Sequence, residues 1–223
     1  MIETERVGDV TVLRMTAGEN RFNPTNLDAL EVAFDEVASS EGDSAVVLTG
    51  EGKFFSNGLD LEWMGGAEAG EPQKVVERVQ ALLARTLVSP VAVVGALNGH
   101  AFAAGAMLAL ACDERVMRED RGYFCLPEVD INIPFTPGMS GLIRCKLSTA
   151  AAREAMLTGR RYGGADALAA GIVDAVAGED DVVSTAVERA QRLAGKNRDV
   201  VSAIKTEMYA GVVEKLRAAP PAL

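Results

Sequence analysis

The chain has 223 residues, 48% of them hydrophobic, enough for one sizeable core and consistent with a single domain. Its formal charge of -10 argues against a surface built for nucleic acid or an anionic membrane, since both need basic patches; an anionic ligand must be held by local positive charge. Three cysteines, Cys112, Cys125 and Cys145, have no metal-ligand spacing and are an odd count for disulfides, which predicts a reducing, cytoplasmic setting; no leader-like segment and no membrane-spanning run is present.

Short Val- and Ile-rich runs alternate with helical patterns, the signature of an α/β fold. TVLRM (11–15) reads as a strand, and a loop over 16–24 leads to a helix in which Leu27, Leu30, Phe34 and Val37 recur behind Thr25, a candidate cap. AVVLTG (45–50) is the next strand, followed by the turn GKFFSNGLDLEWM (52–64), a loop over 65–73 and a helix carrying Val75, Val76, Val79, Leu82, Leu83 and Leu87. VAVVGAL (91–97) runs into NGHAFAAGAMLALACD (98–113), where small residues turn the chain and an apolar helix starts near Ala104. ERVMR (114–118) predicts a strand, and the segment 163–176 a helix, a glycine stop and a last strand over 172–176. Residues 148–157, 181–194 and 201–217 read as helices, with a loop at 195–199, so the last third is mainly helical. No linker divides the chain, and no fixed-period repeat is visible.

Three stretches carry chemistry. The turns at Gly58 and Gly105 expose backbone N–H groups, and the helix start near Ala104 adds the positive end of a helix dipole; taken singly, either glycine reads more simply as a packing residue. The third stretch, YFCLPEVDINIPF (123–135), sets Glu128 and Asp130 in an apolar ribbon, where a charge is costly to bury without a partner. An extended ribbon points both carboxylates the same way, and Arg144 is a candidate ion-pair partner for Glu128. His100, the only histidine, invites a hydrolase arrangement with Ser56 and with Asp60 or Asp113, although Ser56 lies in no recognised nucleophile turn. No phosphate-binding glycine loop and no paired metal ligands are present, so no cofactor or metal is expected.

Together FFSNGLDL, NGHAFAAGAMLALACD and FCLPEVDINIP, in this order and at these separations, resemble the crotonase (enoyl-CoA hydratase/isomerase) superfamily. They look closest to its plant-type enoyl-CoA delta-isomerase branch; the likeness spans roughly residues 5–200 and is most specific over 54–60 and 97–135. The resemblance implies a spiral of repeated strand-strand-helix units over 1–195, with 196–223 as a C-terminal helical segment of the same domain, assembled as a trimer or a dimer of trimers. It implies an acyl-CoA thioester as ligand, with coenzyme A part of the substrate, and an oxyanion hole formed by the backbone N–H groups of Leu59 and Ala104. Ser56, Asn57, Gly58, Asp60 and Gly105 belong by the same match to the substrate-binding turns, Trp63 and Met107 to the acyl-chain wall, and Arg21 and Lys53 to the CoA phosphates.

Glu128 matches the glutamate that follows the proline in hydratases of the family, with Asp130 in reserve. Their second carboxylate is missing: Met107 stands in its place. Adding water to a conjugated enoyl thioester uses two carboxylates, whereas moving a double bond from the 3 to the 2 position needs one base that takes the proton from C2 and returns it at C4. The resemblance therefore implies an enoyl-CoA delta-isomerase, with a hydratase, another acyl-CoA lyase or hydrolase, or a silent acyl-CoA-binding subunit as alternatives.

Overall fold

The computed structural model describes residues 1–39 and 45–221. β1 (Ile2–Val7) and β2 (Val10–Met15) form a hairpin, and α1 (Pro24–Ser39) follows. β3 (Ala45–Gly50), β4 (Phe54–Ser56), α2 (Leu61–Gly66) and α3 (Glu71–Leu87) make one turn of a spiral. β5 (Ala92–Leu97), β6 (His100–Phe102) and α4 (Ala104–Ala111) make the next, and β7 (Glu114–Arg118), β8 (Phe124–Cys125), a 3-10 turn Pro127–Val129 and α5 (Pro137–Lys146) the third. The remainder is α6 (Thr149–Thr158), α7 (Gly164–Ala169), β9 (Ala175–Ala177), α8 (Val182–Leu193), α9 (Arg198–Met208) and α10 (Ala210–Arg217).

Each turn sends its first strand to a large sheet of order β1-β2-β3-β5-β7-β9 and its second to a small sheet of order β4-β6-β8. Apart from the antiparallel β1–β2 hairpin, all these pairings are parallel. The central strands read as unbroken apolar runs because both faces of the large sheet are covered. Val12, Val47, Val94 and Val116 pack under Val182, Ala186 and Ala190 of α8, while Leu13, Leu48, Leu97 and Met117 face the main core with α1, α3 and α4. Leu216 of α10 joins the same core, so the C-terminal helices share it with the spiral.

Several boundaries differ from the sequence reading, each for a local reason. β1 was not expected because IETERV is largely charged; it is an edge strand that pairs only with β2 and leaves most of its side chains in solvent. β4, β6 and β8 have three, three and two residues, too few to display an alternation. α1 starts at Pro24, and the Asn23 carboxamide rather than Thr25 receives the Asn26 N–H, at 3.0 Å. The loop expected over 65–73 is shorter, since α2 runs to Gly66 and α3 begins at Glu71. The last strand is β9, which starts at Ala175 and so overlaps only the end of the expected 172–176, and the long C-terminal helix breaks at Tyr209 into α9 and α10. Among the described residues no helix is long and apolar enough to cross a membrane.

Candidate active site

All three parallel strands of the small sheet end on the same side, as ligand sites of α/β sheets do, and each delivers one part of the site. Beyond β4 comes Leu59, beyond β6 Ala104, and beyond β8 Glu128; all three line a cavity of about 270 Å³.

The first two turns meet back to back. Gly58 has φ +78°, and a Cβ there would stand 2.9 Å from the Phe102 carbonyl oxygen and 3.1 Å from the Ala104 nitrogen. Gly105 is tighter still: its Cβ would run into the Ser56 carbonyl oxygen and lie 2.7 Å from the Ser56 Cβ. Both positions require glycine for the approach of two backbones, so the packing reading and the site reading of these residues are one reading. Ala103, between them, holds φ +50° and ψ -124°, an uncommon conformation for a residue with a side chain, and this bend starts α4 at Ala104. Among the described residues neither the Leu59 nor the Ala104 N–H has an intramolecular acceptor. Two residues whose amides have no intramolecular acceptor among the described residues thus line one cavity, one of them at the positive end of a helix.

Glu128 sits in the 3-10 turn, 6% exposed. The turn is closed by hydrogen bonds from the Ile131 N–H to Pro127 O at 3.1 Å and from the Ile133 N–H to Glu128 O at 3.0 Å. β8 is anchored from outside, where Cys125 Sγ donates to Gly159 O at 3.2 Å and Phe124 exchanges backbone hydrogen bonds with Tyr162. One carboxylate oxygen of Glu128, Oε2, is buried with no hydrogen-bond partner, and no cation lies against it among the described residues. Arg144 is not its partner: it lines a separate groove between α5, α6 and α10. Burial without compensating charge pushes the Glu128 carboxyl up from 4.5 to about 7.

That shift has a consequence for stability. An unfolded chain loses this proton near the ordinary glutamate value while the folded chain keeps it, so the contribution of Glu128 is full at acid pH and declines as pH rises from 4.5 to about 7. Replacing Glu128 with Gln removes the decline. Urea unfolding at about pH 5 and about pH 8 should show the variant gaining on the parent by up to about 3 kcal/mol across that window. A difference that stays constant with pH would contradict the buried, unpaired state of the acid.

Asp130 is not beside Glu128. The segment is a turn, not an extended strand, and it carries Asp130 to the surface, where its carboxylate rests against Gly159. The apolar ribbon around Glu128 divides: Phe124 and Leu126 belong to the core, Val129 is 45% exposed, and Ile133 lines the cavity. Ile131 and Phe135 were missed as lining residues, although the run INIPF carries the signal, an apolar stretch with no helical or strand period; Met139 of α5 lines the cavity as well. Met107 lines the cavity, one turn along α4 from Ala104.

The remaining candidates divide into two groups. Arg21 and Asn57 line the cavity, but both are engaged with Glu19: the Arg21 guanidinium lies 2.7 Å from it and the Asn57 amide donates at 2.8 Å. Ser56, Asp60, Trp63 and Lys53 lie outside the cavity wall. The Ser56 hydroxyl donates to Asn20 O at 2.7 Å and accepts from the Gly58 N–H at 3.2 Å, fixing the turn. Asp60 caps α2 through the Trp63 N–H and receives the Asn23 amide at 2.9 Å. Lys53 is exposed and takes part through its carbonyl, which accepts the His100 N–H. His100 itself packs among Phe54, Phe102 and Tyr123 with ring centroids 5.0 to 5.6 Å away, and Asp113 is bound to Lys205 at 2.6 Å. A serine hydrolase triad is therefore not assembled from these residues. Among the described residues no three His, Cys, Asp or Glu side chains gather as metal ligands, and the three cysteines are free thiols.

A family model described as Enoyl-CoA hydratase/isomerase matches residues 4–220. The chain belongs to the enoyl-CoA hydratase/isomerase family, and its spiral is the crotonase fold. It is 37% identical to a protein of Arabidopsis thaliana named enoyl-CoA delta isomerase 2, peroxisomal, over 94% of this chain and 92% of that one. Among solved structures, a probable enoyl-CoA hydratase from Mycobacterium tuberculosis superposes with a TM-score of 0.90 at 30% identity, covering 98% of this chain and 92% of that one. The human mitochondrial delta3-delta2-enoyl-CoA isomerase gives 0.89 at 27% identity, covering 96% and 85%.

Proposed function

We propose that this chain is an enoyl-CoA delta-isomerase that moves the double bond of a 3-enoyl-CoA to the 2 position through a dienolate. The observation that carries the reading is the single carboxylate of Glu128, buried, unpaired and raised to about 7, in an apolar cavity shared with two free amides. In this account the thioester oxygen accepts hydrogen bonds from the Leu59 and Ala104 N–H groups, which stabilise the charge that develops when Glu128 takes a proton from C2. Charge delocalised over the dienolate is then quenched when the same acid returns the proton at C4. A base poised near neutral pH can both remove and give back a proton, which is what a shuttle must do. The names of the Arabidopsis and human relatives support the same reaction.

A hydratase reading has the name of the mycobacterial relative in its favour but lacks the second carboxylate, since Met107 stands at that position and Glu128 is the one carboxylate among the cavity-lining residues. Incubation with a 3-enoyl-CoA separates the two. The isomerase produces conjugation absorbance, whereas a chain that leaves the 3-enoyl-CoA unchanged but adds water to a 2-enoyl-CoA would favour the hydratase. Met107→Glu should add a measurable rate of water addition to a 2-enoyl-CoA; no hydration by that variant would contradict the link between the missing carboxylate and the type of reaction.

The same reading includes a trimer or dimer of trimers. α9 supports it: Val200, Ile204 and Met208 form an apolar stripe 55 to 62% exposed, while Lys205, off that stripe, is the buried residue. A reducing compartment such as the cytoplasm is supported by the free thiols, although the Arabidopsis relative is named peroxisomal.

A further inference from the structure

We propose that Ala103 is a positioning residue: held in a strained backbone conformation, it sets the Ala104 amide against the Leu59 amide. The inference rests on the isomerase reading for the role of those two amides, and it concerns how their separation is fixed.

Among the described residues three that are not glycine have positive φ: Asn20 at +51°, Asn132 at +58° and Ala103 at +50°. Asparagine enters this region readily because its short side chain can bond locally. Asn20 does so, its carboxamide accepting the Ala17 N–H at 2.8 Å and donating to Phe55 O at 3.1 Å. A methyl group can form no such bond. With ψ at -124°, Ala103 lies where the first central residue of a type II′ turn lies, a position dominated by glycine. Strain of this kind persists only where the surrounding structure dictates it, and it gathers at functional sites.

Three contacts dictate it here, and each reaches a different part of the site. The Ala103 N–H donates to Cys125 O at 3.0 Å, at the end of β8 and just ahead of Glu128. Its carbonyl accepts the Met107 N–H at 3.0 Å, which opens the hydrogen-bond ladder of α4. Its methyl faces the bare side of Gly58, where a Cβ would stand 3.0 Å away. The turn that carries Leu59 is clamped independently: the Phe22 N–H donates to Gly58 O at 2.7 Å, and the Phe22 carbonyl accepts the Asp60 N–H at 3.1 Å. With Leu59 held in this way, the place of the Ala104 amide depends on how α4 meets that turn. Gly105 permits the approach to Ser56, and the Ala103 methyl, lodged against Gly58, limits it. Ala103 lines the cavity together with both donor residues.

Ala103→Gly removes the strain and the spacer together, so stability and activity should move in opposite directions. The thermal midpoint should rise by about 2–4 °C, while kcat on a 3-enoyl-CoA falls about tenfold and KM stays within about twofold. Infrared spectra of hexanoyl-CoA, isotope-labelled at the thioester carbonyl and bound to each protein, read the donors directly. The carbonyl band of the parent complex should lie below that of free hexanoyl-CoA, and the band of the variant complex should return toward the free value. Ala103→Ser keeps a Cβ and should retain the parent's band, with kcat within about threefold. An unchanged kcat and band in Ala103→Gly, a lowered midpoint in that variant, or an equal loss in Ala103→Ser would overturn the inference. If the parent converts no 3-enoyl-CoA and the bound carbonyl band still shifts in Ala103→Gly, the positioning role stands and the isomerase reading is discarded.

Discussion

Glu128→Gln should lower turnover of a 3-enoyl-CoA by about two to four orders of magnitude while leaving acyl-CoA binding nearly unchanged. The substitution keeps the shape of a side chain that is 6% exposed and removes only its capacity to carry a proton between two carbons. The pH dependence provides a second readout. The base must be ionised, and its carboxyl is raised to about 7, so kcat/KM of the parent should climb with pH through that value and level off above it. Since the shift comes from desolvation and not from a neighbouring charge, added salt should move the midpoint little. Full turnover by the Gln variant, or a flat profile through neutrality, would remove Glu128 from the mechanism.

Gly105→Ala should be nearly as damaging, though Gly105 lies outside the cavity wall. In an ordinary helix this change stabilises by up to about 1 kcal/mol. Here the new methyl would run into the Ser56 carbonyl oxygen and stand 2.8 Å from the Ser56 carbonyl carbon, both backbone atoms. Ser56 cannot withdraw, because its hydroxyl is tied to Asn20 O and to the Gly58 N–H. α4 must therefore retreat from β4, which separates the Ala104 amide from the Leu59 amide. Losing one donor to a developing oxyanion costs about 2.7–4 kcal/mol of transition-state stabilisation, so kcat should fall by about a hundredfold or more, with a lowered thermal midpoint from overpacking. A variant that melts higher and turns over normally would show that the contact between the two turns is dispensable.

What could be read in advance follows from how much of each feature is local. The apolar runs of β3 and β5 declare themselves because both faces of the large sheet are buried, and α3 does so because one face repeats with helical period. The small sheet stayed hidden. Its strands are held by their neighbours and by the turns that follow them, not by any pattern of their own. Glu128 stood out only through the joint match of the three motifs, since its own ribbon read more simply as an ion pair with Arg144, and its surroundings were not legible. The turn Pro127–Val129 breaks the two-residue alternation, so Asp130 leaves the cavity and Ile131 enters it. In the proposed reaction Leu59 and Ala104 would contribute through amides, which leave no chemical trace in a side chain; only the glycines beside them marked the place. Ser56 and Asp60 illustrate the opposite error, polar residues near the site whose hydrogen bonds are spent on the turns that shape it.

The central claim is that one acid carries the proton from C2 to C4. A 3-enoyl-CoA dideuterated at C2, converted in ordinary water and analysed for isotope at C4 of the product, tests it directly. A buried carboxyl without a hydrogen-bonded relay at Oε2 should deliver part of the deuterium it removed, so the product should carry the label at C4, and Glu128→Gln should form no labelled product at the parental rate. A product whose C4 hydrogen comes entirely from solvent would contradict a single shuttle and call for a second proton donor.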